Sequence, residues 1–258
     1  METTALSVSS LSKNFGGVHA VRELSLSVPV GAIFGIIGPN GSGKTTFFNL
    51  ISGFTTPDSG TVHLFGEVVT GHPPHKMAAR GLSRTFQNLR LFAGMTVLEN
   101  VLTGGYLQIE SDTVASVLHT TSHKTAERSL RDYASQMLAV TDLTGKENII
   151  ASQLPYGAAR RLEIARALMA KPRLLLLDEP AAGMNPVETQ ELSALIRKIR
   201  ESGITVMVIE HHVRLMVSLC DSVIVLDHGD KIAEGLPQDV VKNPAVIEAY
   251  LGTEEEVA

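Results

Sequence analysis

Gly38, Pro39, Asn40, Gly41, Ser42, Gly43, Lys44 and Thr45, followed by Thr46, match the spacing G-x-x-x-x-G-K-[ST]. Glycines so placed let the backbone curl until consecutive N–H groups converge on phosphate oxygens, and a helix that starts there adds positive potential at the same point. Lys44 is then expected to reach the β- and γ-phosphates of a nucleoside triphosphate, and the Thr45 hydroxyl to ligate Mg2+. A second reactive pair lies far along the chain, where the four apolar residues Leu174 to Leu177 end in Asp178 and Glu179. Asp178 suits a Mg2+ ion held through its water shell, and Glu179 suits a general base that orients and polarises an attacking water. A glycine-rich turn, or a strand ending in solvated acids, is unremarkable alone. Together they point to hydrolysis of a triphosphate.

Both groups need rigid elements behind them. Ala32 to Ile37 is apolar at nearly every position, as expected of a strand buried on both faces, and it leads straight into the glycine-rich turn and a helix. Other strands are expected at Leu6 to Ser9, Leu24 to Val28, Thr61 to Phe65, Leu174 to Asp178, Ile204 to Ile209 and Ser222 to Leu226, with a turn at Pro57 to Gly60. From about Phe92 to Gln153 strands disappear, and Ala126, Leu130, Tyr133 and Met137 recur at helical spacing, which predicts a helical subdomain. Within it Gln108 to Lys124 is polar and rich in Ser and Thr, and reads as a mobile loop or a loose family-specific insertion. Asn185, Pro186 and Glu188 form a helix start, followed by one apolar face of Leu192, Leu195, Ile196 and Ile199.

At 258 residues, 44% apolar and 19% charged, the chain has the composition of a globular protein large enough to bury a core. Its formal net charge of -5 argues against a nucleic-acid partner held by a general basic surface. No apolar run approaches the roughly 20 residues that span a bilayer, and the first residues do not resemble a secretory signal, so a cytoplasmic location is expected. The single Cys220 sits in an apolar run and reads as a buried, inert thiol.

Four further segments carry a family resemblance. Leu154, Pro155, Tyr156, Gly157 and Ala158, with the helix-like Arg160 to Ala167 behind them, resemble the signature loop and helix of ABC ATPases. Arg84 to Gln87 resemble the Q-loop, Gly183 to Asn185 the D-loop, and Ile209, Glu210 and His211 the switch histidine after its strand. Order and spacing match across nearly the whole chain, 1–252, leaving 253–258 as an acidic tail. The resemblance implies an α/β fold, a P-loop NTPase core with an antiparallel β subdomain and a helical subdomain at about 92–153. It also implies ATP and Mg2+ as cofactors. Lys13 to Gly17, Glu179 to Pro186 and Asn243 to Gly252 are similar to the branched-chain amino acid importer branch. In that branch two ATPase subunits, identical or related, sit beneath two membrane-spanning permease subunits at the inner face of the membrane. An extracellular or periplasmic binding protein delivers the cargo.

The same resemblance assigns roles. Gln87 touches Mg2+ or water when nucleotide is present, its alternative being an ordinary polar loop residue. Phe15 stacks on adenine, its alternative being core packing. His211 contacts the γ-phosphate from the carboxyl edge of its strand, and the neighbouring His212 is expected to point elsewhere. A metal site built on His211 with His212, or on His72 and His75, lacks an acidic or thiol ligand at familiar spacing. The signature loop departs from its usual Leu-Ser-Gly-Gly-Gln, since Pro155 and Ala158 replace Ser and Gln. The Gly157 N–H and the helix dipole remain, and Pro155 suits a first helical turn. Such a loop acts on nucleotide bound to the partner subunit. Competing readings are a soluble ABC ATPase of DNA or ribosomes, a small-molecule kinase or GTPase, and a nonenzymatic nucleotide-dependent subunit. The first would call for long heptad arms, tandem cassettes or a basic surface, and the second would not need a signature helix.

Overall fold

The computed structural model describes residues 3–105 and 121–251. Two long strands, β1 (Thr4–Phe15) and β2 (Val18–Pro29), open the chain as an antiparallel hairpin. The short β3 (Ile33–Ile37) then leads through the glycine-rich turn into α1 (Lys44–Ile51). β4 (Ser59–Leu64) and β5 (Glu67–Val68) complete a four-stranded sheet in the order β2-β1-β4-β5, all of it antiparallel. After α2 (Pro74–Ala79), β6 (Leu82–Arg84) enters a second sheet.

That second sheet also contains β7 (Leu174–Asp178), β8 (Thr205–Ile209), β9 (Ser222–Asp227) and β10 (Asp230–Gly235), in the order β10-β9-β3-β8-β7-β6. Five of its strands are parallel and β10 pairs antiparallel on the edge. Every residue of β3, β7 and β8 is buried, as their unbroken apolar runs predict for strands covered on both faces. Alternation sorts the side chains. Phe34, Ile36, Leu174, Leu176, Met207 and Ile209 face the core shared with α1 and the antiparallel sheet, while Ile33, Ile37, Leu175, Leu177, Val206 and Val208 face the opposite core. Each such side chain contributes about 1.5–3 kcal/mol by leaving water. β5, β6 and β10 are too short or too polar to carry a strand pattern, and only pairing with their neighbours reveals them.

A third core lies in the helical region. α3 (Val97–Thr103), α4 (Thr121–Val140) and α5 (Tyr156–Leu168) pack through Val97, Val101, Ala134, Leu138, Leu162 and Ala165, with Leu130, Tyr133 and Met137 at its edge. Residues 121–124, expected in a loop, belong to α4, whose pattern reaches further toward the N-terminus than its apolar residues do; 108–120 lie outside the described residues. α6 (Pro186–Glu201) begins as its sequence predicts. The Asn185 side chain accepts from the Val187 and Glu188 amides, and Glu188 accepts from the Asn185 amide. Leu192, Leu195, Ile196 and Ile199 are buried in the second core, joined there by α7 (Val213–Leu219) and α8 (Pro237–Val240); α9 (Pro244–Leu251) ends the described chain. Among the described residues, no helix is long and apolar enough to cross a membrane.

Candidate functional site

Parallel strands deliver the site. Because β3, β6, β7 and β8 run the same way, their carboxyl ends emerge on one edge, where open α/β sheets place ligands. β3 leads to the Gly38–Thr46 loop, β6 to Gln87, β7 to Asp178 and Glu179, and β8 to Glu210 and His211. A cleft of about 570 Å³ lies against this edge, lined by Gly17 to Ala20, Asn40 to Thr46, Gln87, Glu179 and His228.

The loop is shaped for an anion. Gly38 has φ 152° and Gly43 φ 102°, and a Cβ at either would lie 2.1 Å from the Leu226 carbonyl or 2.2 Å from the Ala20 carbonyl. Only glycine lets the chain pass there. The amides of Gly41, Gly43, Lys44 and Thr45 have no acceptor among the described residues, so the start of α1 offers free N–H groups to the cleft. Lys44 is buried, and its Nζ donates to the Gly38 and Pro39 carbonyls at 2.8 and 2.7 Å. Burial lowers its pKa from the ordinary lysine value, while Glu179 and Asp178 act in the other direction.

Asp178 is nearly fully buried. Its Oδ2 accepts from Arg84 Nη2 at 2.8 Å, whereas Oδ1 is buried with no hydrogen-bond partner. Burial raises the Asp178 pKa, against the opposing Arg84 guanidinium. An orphaned carboxylate oxygen within electrostatic reach of Lys44 fits the hydration shell of a divalent cation. Glu179 follows with φ 44°, a conformation that costs a non-glycine residue of order 1–3 kcal/mol and is secured here by its amide donating to the Ile209 carbonyl at 2.9 Å. Its Oε2 accepts from Gln87 Nε2 at 2.8 Å and lies 3.9 Å from His211 Nδ1. Three residues from three separated segments therefore meet at one carboxylate.

One expectation changes here. The His211 and His212 ring centroids lie 4.2 Å apart in the turn between β8 and α7. An acidic group also accompanies them, since Glu210 Oε2 is buried without a hydrogen bond, 3.5 Å from His212 Nδ1 and 3.9 Å from His211 Nδ1. Glu210 Oε1 meanwhile accepts from the Ala181 amide at 2.7 Å, tying the switch turn to the segment after β7. Burial raises the Glu210 pKa. Phe15 is 51% exposed with Lys13 Nζ 5.5 Å from its ring centre, which rules out the core-packing alternative; the cleft lining starts two residues on, at Gly17.

The signature segment lies elsewhere. Pro155 is the N-cap of α5 rather than a residue of its first turn, with ψ 153° directing the chain out of the helix. Tyr156 is exposed, Gly157 and Ala158 are buried, and none of the four lines the cleft of its own chain. A Cβ at Gly157 would lie 2.8 Å from Glu188 Oε1, so α5 starts against the start of α6. Arg84, Arg160, Glu163 and Glu210 were missed as members of the site. Arg84 ends the three-residue β6, which carries no strand pattern, and nothing in the spacing of Arg160 and Glu163 distinguishes them from a solvated helical pair.

The family model described as "ABC transporter" matches residues 21–182, and the one described as "Branched-chain amino acid ATP-binding cassette transporter" matches 231–256. The chain is 45% identical to the high-affinity branched-chain amino acid transport ATP-binding protein BraF of Pseudomonas aeruginosa, covering 98% of this chain and 99% of that protein. It is 42% identical to the corresponding LivG protein of Escherichia coli, with the same coverage. Among solved structures, a nucleotide-free ATP-binding cassette from an ABC transporter superposes with a TM-score of 0.84 at 31% identity, covering 96% of this chain and 98% of the other. The chain belongs to the ABC transporter family, as an ATP-binding cassette with ATPase activity. Its relatives lie in the branched-chain amino acid branch of that family.

Proposed function

We propose that this chain powers the import of branched-chain or related amino acids, as one of two ATPase subunits working beneath two membrane-spanning permease subunits. A substrate-binding protein outside the cell hands them the cargo. The ATPase is peripheral on the cytoplasmic face of the membrane, and residues 1–252 form a single cassette, with the helical subdomain at about 92–153 and the acidic tail at 253–258. The names of its relatives and the C-terminal match support the cargo. One observation carries the chemistry: Gln87, Glu179 and His211 converge beside the Gly38–Thr46 loop.

In this reading the free amides from Gly41 to Thr45 take the phosphate oxygens, with Gly38, Pro39, Asn40, Ser42 and Thr46 shaping the cradle. Lys44 exchanges its loop carbonyls for the β- and γ-phosphates. Thr45, Gln87 and Asp178 are the residues that would hold Mg2+, whose charge offsets that of the phosphates. Glu179 orients the attacking water and takes its proton, and the αL backbone at Glu179 fixes where the carboxylate stands. Gln87 holds that carboxylate before nucleotide arrives, and His211 approaches the γ-phosphate from the β8 side. Phe15 stacks on adenine, while Pro155, Tyr156, Gly157 and Ala158 face the nucleotide of the other subunit. ATP binding closes the pair of cassettes and hydrolysis reopens it, which moves the membrane subunits between their states.

Lys44→Ala and Glu179→Gln separate binding from chemistry. In the complete transporter reconstituted in vesicles, Lys44→Ala is expected to weaken ATP binding and abolish both turnover and leucine uptake. Glu179→Gln is expected to keep ATP affinity and lose turnover. Parental turnover by Glu179→Gln removes Glu179 from the base role, and ATP turnover without stimulation by any branched-chain amino acid removes the cargo.

A further inference from the structure

Arg160 has a side chain at 0% exposure, about one turn into the helix that carries the signature loop. A buried guanidinium survives only where its desolvation is offset by charge and by several hydrogen bonds. Here Nη1 donates to the Phe86 carbonyl at 2.7 Å and to Glu163 Oε2 at 2.8 Å, while Nη2 donates to the Gln87 carbonyl at 2.7 Å and to Tyr156 Oη at 3.2 Å. Glu163, 1% exposed, also receives the Phe86 amide on Oε1 at 3.4 Å. The planar fork thus holds two successive backbone carbonyls of one segment and the first residue of another. Packing alone would be served as well by an apolar side chain of the same volume.

What these bonds join is the point. Gln87 reaches from the clamped backbone to Glu179 Oε2, in the cleft of its own chain. Tyr156 and Gly157 lie at the other end, against Gly183 and Glu188. We propose that Arg160 is a positioning residue that makes the Gln87 backbone and the start of α5 one mechanical unit, so that nucleotide binding in the cleft is felt at Tyr156 and Gly157. Resting on the proposed roles of Gln87 and the 155–158 segment, it adds the connection between them. When ATP displaces Gln87 from Glu179, the shift of the 86–87 backbone pulls on the guanidinium, and α5 moves with it. Lysine at 160 cannot reproduce this, since an ammonium lacks the flat fork that spans two carbonyls.

Hydrogen–deuterium exchange of the full chain, with and without Mg2+ and a nonhydrolysable ATP analogue, tests the connection. In the parent protein the analogue is expected to slow exchange both at residues 38–46 and at 154–162, each by at least about threefold. In Arg160→Met combined with Glu163→Gln, which leaves no unpaired buried charge, slowing at 38–46 is retained and the response at 154–162 is lost. Arg160→Lys, which keeps the charge, is expected to show the same split, and serves if the double variant does not fold. A role confined to stability would alter exchange in both segments together. Retention of the 154–162 response in the folded variants, or its absence from the parent while 38–46 responds, overturns the proposal. No response at 38–46 in the parent overturns instead the assignment of the nucleotide site.

Discussion

Replacing Arg84 by methionine removes the cation on which Asp178 depends while nearly preserving side-chain volume. The two side chains are 5% and 3% exposed and meet at 2.8 Å. At that separation the Coulomb attraction is about 6 kcal/mol for an effective dielectric constant of 20. Delocalised charge reduces it, and removing one partner of a buried pair costs about 3–5 kcal/mol. Arg84 Nη1 also donates to Asn49 Oδ1 and Ser52 Oγ, so two more acceptors lose a donor. At about 2–4 °C per kcal/mol for a chain of this size, Tm is expected to fall by roughly 6–20 °C near pH 7.5.

The deficit also has a pH signature. Burial already holds the Asp178 pKa above its ordinary value, and Arg84 opposes that rise, so its removal drives the pKa higher. A carboxyl that binds its proton more readily folded than unfolded destabilises the fold increasingly as pH climbs from the unfolded value, about 3.9, through the folded one. The Tm difference between Arg84→Met and the parent is therefore expected to be largest near pH 7.5 and smaller near pH 5. Adding Asp178→Asn removes the buried charge and is expected to recover more than about half of the loss at neutral pH. Scanning calorimetry of the three proteins at both pH values measures this. An equal deficit at both, with no recovery by Asp178→Asn, refutes the account.

Because the cradle reads phosphates and Phe15 offers only a ring face, GTP is expected to bind within about tenfold of ATP, or about 1.4 kcal/mol; a steeper preference in titration calorimetry would place hydrogen bonds on the adenine edge. Pro155 caps α5 without a side-chain hydrogen bond, so Pro155→Ser supplies both a helix cap and a hydroxyl for the partner's γ-phosphate. In the Glu179→Gln background it is expected to strengthen ATP-dependent dimerisation, and sedimentation showing equally tight dimers with proline or serine would make the missing hydroxyl irrelevant. Burial pushes the Cys220 thiol up to about 12, so at mildly alkaline pH it is expected to react with a disulfide reagent only after unfolding; rapid labelling of the folded protein would contradict that.

Local chemistry made part of this protein readable from its residues. The Gly38–Thr45 spacing, the leucines running into Asp178 and Glu179, and the Asn185–Glu188 helix start are consequences of backbone sterics and short-range bonding, which neighbouring residues determine. The buried parallel strands were legible for a similar reason, because a strand covered on both faces has nowhere to place a polar side chain. What joins distant segments was not. Arg84 with Asp178, Arg160 with the 86–87 carbonyls, and Glu210 with the Ala181 amide are separated by 94, 74 and 73, and 29 residues. Each is a charged or polar group whose type fits a solvated surface equally well. Only the packed sheet edge and the helix laid across it take those groups out of water, and desolvation then turns interactions that are weak at a surface into the contacts that hold the site together.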